Sequence, residues 1–66
     1  MKIYPCGISV KVTQLGLHAV IETVSIKFDS VQYEVSYFIE GKQQLIWLNE
    51  VQFTTTANKV TIGYKA

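Results

Sequence analysis

The chain has almost none of the residues that build a disulfide, a zinc site or an arginine-rich surface. Cys6 is the only cysteine and His18 the only histidine among 66 residues, which excludes an internal disulfide and a zinc site built from Cys and His ligands. Small domains often gain stability from such cross-links. Here the stability must come from the hydrophobic residues, 48% of the sequence, with self-association as a further source.

Arginine, the residue best suited to bidentate contacts with phosphates and bases, is absent. The basic residues are all lysines spread along the chain, and the net charge is only +1. Nucleic-acid-binding proteins usually show a clustered basic face. The linear sequence has no such cluster, although folding can bring Lys2, Lys59 and Lys65 together. The composition therefore disfavours nucleic acid as a partner without excluding it.

Long hydrophobic runs are missing as well. The longest purely apolar run, residues 45–48, is far too short to cross a bilayer, and residues 1–7 lack the apolar segment of a signal peptide. A lone cysteine also fits a reducing compartment. We expect a cytoplasmic protein with no membrane partner, or one delivered as part of a virion or another large particle.

Catalytic motifs are equally scarce. No serine or cysteine lies at a known spacing from His18, and a general base needs a positioned partner. Cys6 has no neighbour in sequence that would activate its thiol. Glu22 and Glu34 can face each other on neighbouring strands, but solvated strand faces show the same pattern. We predict that the protein is not an enzyme and has no catalytic residue, cofactor, metal or small-molecule substrate.

A strong period-two alternation is present in the middle of the chain. From Val31 to Tyr37, large apolar or aromatic residues alternate with polar ones, which indicates a strand with one buried face that runs on to Phe38. The segment Glu40-Gly41-Lys42 then interrupts the pattern, and Gly41 can take the positive φ that a tight hairpin turn requires. Residues 44–49 form the second strand of this predicted hairpin, but its register stays open.

Further runs of the β type flank the hairpin. Residues 8–13 alternate cleanly, and residues 18–28 form a long run whose parity is interrupted at Glu22, which predicts a bend or bulge. We expect a turn at residues 29–30, one short helical turn at 49–51 and a closing strand within 59–64. The residues that we expect to be buried are Val10, Val12, Val24, Ile26, Tyr33, Val35, Leu48 and Phe53.

About five strands with short connections and no covering helix predict one all-β domain over residues 1–66, closed into a small barrel. Closure removes exposed strand edges that would otherwise aggregate.

Two segments resemble a known family. Gly7-x-x-Val10-x-Val12, followed by a loop with Gly16 and by residues 19–21, resembles the opening of SH3-like barrels of the KOW and Tudor type. Residues 33–50 are similar to the second half of such barrels. The resemblance covers residues 7–53, extends to small uncharacterised proteins of phages and prophages, and implies a five-stranded SH3-like β-barrel.

The same segments depart from the functional loops of those families. His18-Ala19 stands where a glycine usually follows the KOW loop, and residues 14–18 contain no aromatic ring for a Tudor-type cage around a methylated cation. We therefore expect a non-enzymatic protein-interaction or structural module. A nucleic-acid-binding barrel of the KOW, Tudor or cold-shock type is the alternative.

Strand parity identifies one candidate surface. If Val35 faces the core, Phe38 lies on the opposite face, and if Leu48 faces inward, Trp47 faces outward. Exposed apolar patches often mark interaction sites. We expect Phe38 and Trp47 to form a contact surface for self-association or for a protein partner. The competing interpretation buries both rings, because a short chain needs its aromatic residues inside.

Overall fold

A computed structural model describes residues 1–28 and 30–62 and shows two antiparallel sheets. The strands are β1 (Lys2–Ile3), β2 (Ser9–Val12), β3 (Leu17–Lys27), β4 (Ser30–Ile39), β5 (Lys42–Leu48), β6 (Phe53–Thr54) and β7 (Val60–Thr61), with a 3-10 helix at Glu50–Gln52. The predicted all-β class and the short helical turn after β5 are confirmed. Within these described residues, no helix has the length and apolar character needed to cross a membrane.

The predicted closed, five-stranded SH3-like barrel is wrong. The larger sheet has the order β5-β4-β3-β2-β6, and over residues 1–28 and 30–62 no pairing joins its two edge strands, β5 and β6. β6 has only two residues, both paired with β2, so it is too short to close the sheet. The terminal strands β1 and β7 pair with each other in a separate ribbon instead of extending the larger sheet.

The predicted hairpin forms one side of the larger sheet. β4 pairs with β5 in an unbroken register from Ile39↔Lys42 to Tyr33↔Leu48. The connecting residues Glu40 (φ 51) and Gly41 (φ 78) both have positive φ, as in a type I′ turn, whose twist matches that of the flanking strands.

The preceding turn differs from the prediction by one residue. Ser30 belongs to β4 and pairs with Lys27, while Asp29 lies outside the described residues.

A bulge at Glu22 interrupts the long strand β3, as predicted. The register with β4 shifts between Ile21 and Thr23, so Glu22 has no partner opposite it. The extra residue reverses the side-chain alternation. As a result, Ile21 before the bulge and Val24 after it both turn toward the core, while Val20 is exposed on the other face.

The core lies on one face of the larger sheet. Its buried cluster consists of Val10, Val12, Ala19, Ile21, Tyr33, Val35, Leu48 and Phe53. The ring of Tyr33 meets the ring of Phe53 edge to face, with centroids 5.4 Å apart. The Tyr33 hydroxyl also accepts a hydrogen bond from the Tyr4 backbone N–H at 3.1 Å.

Six of the eight predicted core residues are buried, and two are not. Ile26 is 37% exposed and Val24 is only half-buried. β2 pairs with β3 only as far as Val20, so the end of the β3–β4 hairpin extends beyond the strands that complete the core. The prediction for Ile26 is wrong because the alternation of apolar residues does not show where the β3–β4 hairpin extends beyond its neighbouring strands.

Replacing Val35 with alanine should lower the free energy of unfolding by about 1–3 kcal/mol, since the change removes buried methyl groups and leaves a small cavity. Val35 has no exposed surface. Urea denaturation followed by circular dichroism measures the loss. Val51→Ala, at a position that is 83% exposed, is the matched control and should change stability by less than about 0.5 kcal/mol. Equal effects at the two positions would contradict the assigned register.

Candidate interaction surface

The face of the larger sheet opposite the core, here called the outer face, carries a group of exposed apolar side chains. Phe38 is 67% exposed and Trp47 is 48% exposed, so both rings predicted to face outward do so. Leu45 and Val20 are also exposed on this face. We call these four residues the outer-face patch: Val20, Phe38, Leu45 and Trp47.

The two rings lie on one hairpin without touching each other. Phe38 is opposite Gln43 across the β4–β5 pair, and Trp47 lies four residues farther along β5. Four residues of strand span about 14 Å. Leu45 occupies the position between them on the same face, so the patch runs along β5 as an elongated apolar strip and not as a stacked ring pair.

Polar groups border this strip on the side of β3. Ser36 pairs with Leu45 on one side and with Val20 on the other. Its hydroxyl donates a hydrogen bond to the Glu22 carboxylate at 2.8 Å. Glu34, opposite Trp47, accepts a hydrogen bond from the Thr23 hydroxyl at 3.2 Å. The two carboxylates therefore lie on adjacent strands but do not pair, because Glu34 is opposite Thr23 and Glu22 lies in the bulge. Each is held by a neutral hydroxyl, and together they give the patch an acidic border.

Neither His18 nor Cys6, the candidate residues for chemistry, belongs to the outer-face patch. His18 is exposed in β3 opposite Lys11 and lines an open depression with Thr54 and Thr55. Cys6 is an exposed free thiol. Over residues 1–28 and 30–62, no group of three or more His, Cys, Asp and Glu side chains is placed to hold a metal ion.

Of the three lysines that folding could bring together, two line the same depression. Lys2 and Lys59 line one depression, while Lys65 lies outside the described residues. Lys59 forms an ion pair with Glu50 at 2.6 Å and lies 5.3 Å from the centre of the Tyr4 ring. The hydrogen bond to the Glu50 carboxylate raises the pKa of Lys59. This depression therefore combines two cations with an anion and is not a uniformly basic surface.

Sequence reasoning identified two members of the patch and missed the other two. Leu45 shares the parity of Trp47, so the same rule that turned Trp47 outward also applied to Leu45. Val20 has no comparable signal, since its outward direction depends on the position of the bulge at Glu22. Phe28, which is 99% exposed beside the β3–β4 turn, is a further exposed ring away from the patch.

The strand pairing and the burial pattern therefore define one apolar surface on the outer face. No known family of proteins, curated protein or solved structure matches the chain, so the interpretation of that surface depends on its own geometry.

Proposed function

We propose that the chain is a small, non-enzymatic protein-interaction module and that the outer-face patch is its contact surface. The observation that carries this proposal is the exposure of Phe38, Leu45 and Trp47 along one hairpin. Single exposed apolar residues are common, but a contiguous strip is typical of an interaction site. Burying a large apolar side chain contributes about 1.5–3 kcal/mol, so covering this strip would be strongly favourable.

The charges around the patch favour a protein partner over nucleic acid. A surface for single-stranded nucleic acid interleaves aromatic rings with cations. The polar neighbours of the patch include Glu22 and Glu34, whose carboxylates repel phosphate. A barrel-like role of the KOW, Tudor or cold-shock type therefore gains no support from this face.

Self-association is the simplest form of the proposal, because a second copy that covers the patch also stabilises a short chain by mass action. A phage or prophage origin belongs to the proposal through the sequence resemblance alone. A cytoplasmic or virion-associated location belongs to it through the lone cysteine and the absence of a long apolar run.

Replacing Trp47 with lysine should abolish self-association and leave a folded monomer. Trp47 is 48% exposed and lies outside the buried core cluster, so we expect the fold to tolerate its replacement, whereas a charge at its position must be desolvated in any interface. Sedimentation velocity over a concentration series measures association, and circular dichroism checks the fold. Phe28→Lys is the matched control, an exposed ring away from the patch that should leave association unchanged.

Two results would contradict this interpretation. If Trp47→Lys unfolds the chain, Trp47 belongs to the core. If it associates as the native chain does, the patch is not the contact surface.

A further inference from the structure

β5 forms an unprotected edge of the larger sheet. It pairs with β4 along its whole length, and none of the described residues pairs with its other side. From Gln43 to Leu48 it contains no charge, proline or glycine, and its register shows no bulge. Proteins usually protect exposed strand edges with charged residues, prolines or bulges, because the unpaired backbone groups of an open edge can pair with a strand of another chain.

The other open edges of the same sheet are short or protected. β4 extends past its last pair with β3 only from Tyr37 to Ile39. β6 has only two residues. β3 is an edge beyond Ile21, but that stretch begins with the bulge at Glu22 and ends with Lys27. Among the described residues, β5 is therefore the long, regular edge that lacks such protection.

The type I′ turn determines which backbone groups of β5 face outward. In a two-residue hairpin the closing pair, here Ile39 and Lys42, is hydrogen-bonded, and the bonded pairs then alternate. Every second residue from Lys42 therefore directs its N–H and C=O toward β4. The three residues between them direct their N–H and C=O groups toward the open edge. They are Gln43, Leu45 and Trp47, with Leu45 in the middle.

We propose that β5 pairs antiparallel with β5 of a second copy about a two-fold axis at Leu45. In this register Leu45 lies opposite its own counterpart, and Gln43 lies opposite Trp47 of the second copy. Each outward-facing N–H and C=O then gains a partner, and the two larger sheets become one continuous sheet. The inference rests on the proposed function, since it names a second copy as the partner and the β5 edge as the place of contact.

The outer-face patch favours a second copy as the occupant of this edge. In the proposed register Lys42 lies opposite Leu48 of the second copy, and no charged residue lies between Gln43 and Leu48, so no like charges face each other within the paired strands. The pairing also joins the two outer-face patches, because Leu45 of one copy lies opposite Leu45 of the second copy on the same face. Trp47 of each copy lies opposite Gln43 of the other, whose neighbour across the β4–β5 pair is Phe38.

Charge substitutions at the axis test this geometry. Leu45→Lys and Leu45→Glu each place two like charges in directly opposite positions, about 5.5 Å apart at the Cα atoms, and each should weaken association at least about tenfold. An equimolar mixture of the two variants should restore a mixed dimer, measured by sedimentation velocity and native mass spectrometry. Phe28→Lys and Phe28→Glu, at a position that is 99% exposed and away from both the patch and the edge, are the matched controls: each should associate as the native chain does, and mixing them should change nothing.

A second variant tests the edge without a new charge. Gln43→Pro removes an outward-facing N–H and keeps every residue of the outer-face patch, so it should give a folded monomer. This variant keeps the proposal testable if the charged variants at Leu45 do not fold.

The outcomes separate edge pairing from the more general proposal. A native chain that stays monomeric at millimolar concentration overturns edge pairing, and so does a mixture of Leu45→Lys and Leu45→Glu that fails to associate. If the mixture fails while Trp47→Lys still abolishes native association, the copies meet through the patch and only edge pairing is wrong. If charge rescue succeeds while Trp47→Lys associates normally, the edge pairs through its backbone and the patch proposal is wrong.

Discussion

Tyr33→Ala should cause a larger loss of stability than any other substitution proposed for this chain. Tyr33 has no exposed surface, and its ring packs against those of Phe53 and Tyr4, with centroids 5.4 Å and 6.0 Å away. Truncating a buried aromatic residue to alanine costs about 3–5 kcal/mol. A chain of 66 residues has a total stability of roughly 3–10 kcal/mol. The substitution therefore removes a large part of the free energy of unfolding.

Two variants divide this loss into its parts, each measured by urea denaturation with circular dichroism. Tyr33→Phe removes only the hydroxyl that accepts the Tyr4 N–H, and should cost about 1–2 kcal/mol. Phe28→Ala truncates a ring that is 99% exposed and should leave stability nearly unchanged. If Tyr33→Ala is destabilised by less than 1 kcal/mol, the three aromatic rings do not hold the sheet together.

The β4–β5 hairpin could be predicted because the residue patterns that specify it lie close together in the sequence. Alternation along residues 31–38 places Tyr33 and Val35 on the same face, and a glycine supplies the positive φ that the turn requires. The outward direction of Phe38 and Trp47 follows from the same alternation, once Leu48 is buried. Parity thus gave both the centre of the core and the two rings of the surface.

The errors concern properties that depend on distant parts of the chain. Ile26 has the parity and the composition of a core residue, but nothing nearby in sequence shows that β2 stops pairing with β3 at Val20. Barrel closure likewise depends on the length of β6 and on the pairing of β1 with β7. These features depend on tertiary pairing, which alternation within one strand does not encode.

The open edge of β5 could be predicted only in part from the sequence. Its apolar composition was visible in the sequence, but its position at the sheet's edge depends on the failure of β6 to reach it. The outward direction of the Leu45 backbone groups also depends on the turn. One additional loop residue would turn these groups toward β4 and the neighbouring ones toward the open edge. Turn type, strand order and side-chain parity together are needed to define this surface.

Gln44→Pro should destabilise the chain strongly, while Gln43→Pro should have a much smaller effect. Both side chains are exposed, so the difference reports on the backbone alone. The N–H of Gln44 points toward Tyr37 in β4, its pairing partner. Proline removes that hydrogen bond and leaves a carbonyl of β4 unpaired, at a total cost of about 2–4 kcal/mol. Proline is tolerated on an edge strand where the lost N–H faced solvent, as at Gln43.

The stabilities of the two proline variants are compared by urea denaturation at protein concentrations low enough for the chain to be monomeric. Amide hydrogen exchange of the native chain gives an independent readout of the same alternation. In the monomer the N–H groups of Gln44 and Ile46 should exchange slowly, and those of Gln43 and Leu45 quickly. Raising the protein concentration should slow the second set specifically, since edge pairing uses those groups. A larger loss for Gln43→Pro than for Gln44→Pro would mean that the amides of Gln43, Leu45 and Trp47 face β4, and the proposed pairing at Leu45 would have no hydrogen bonds to form.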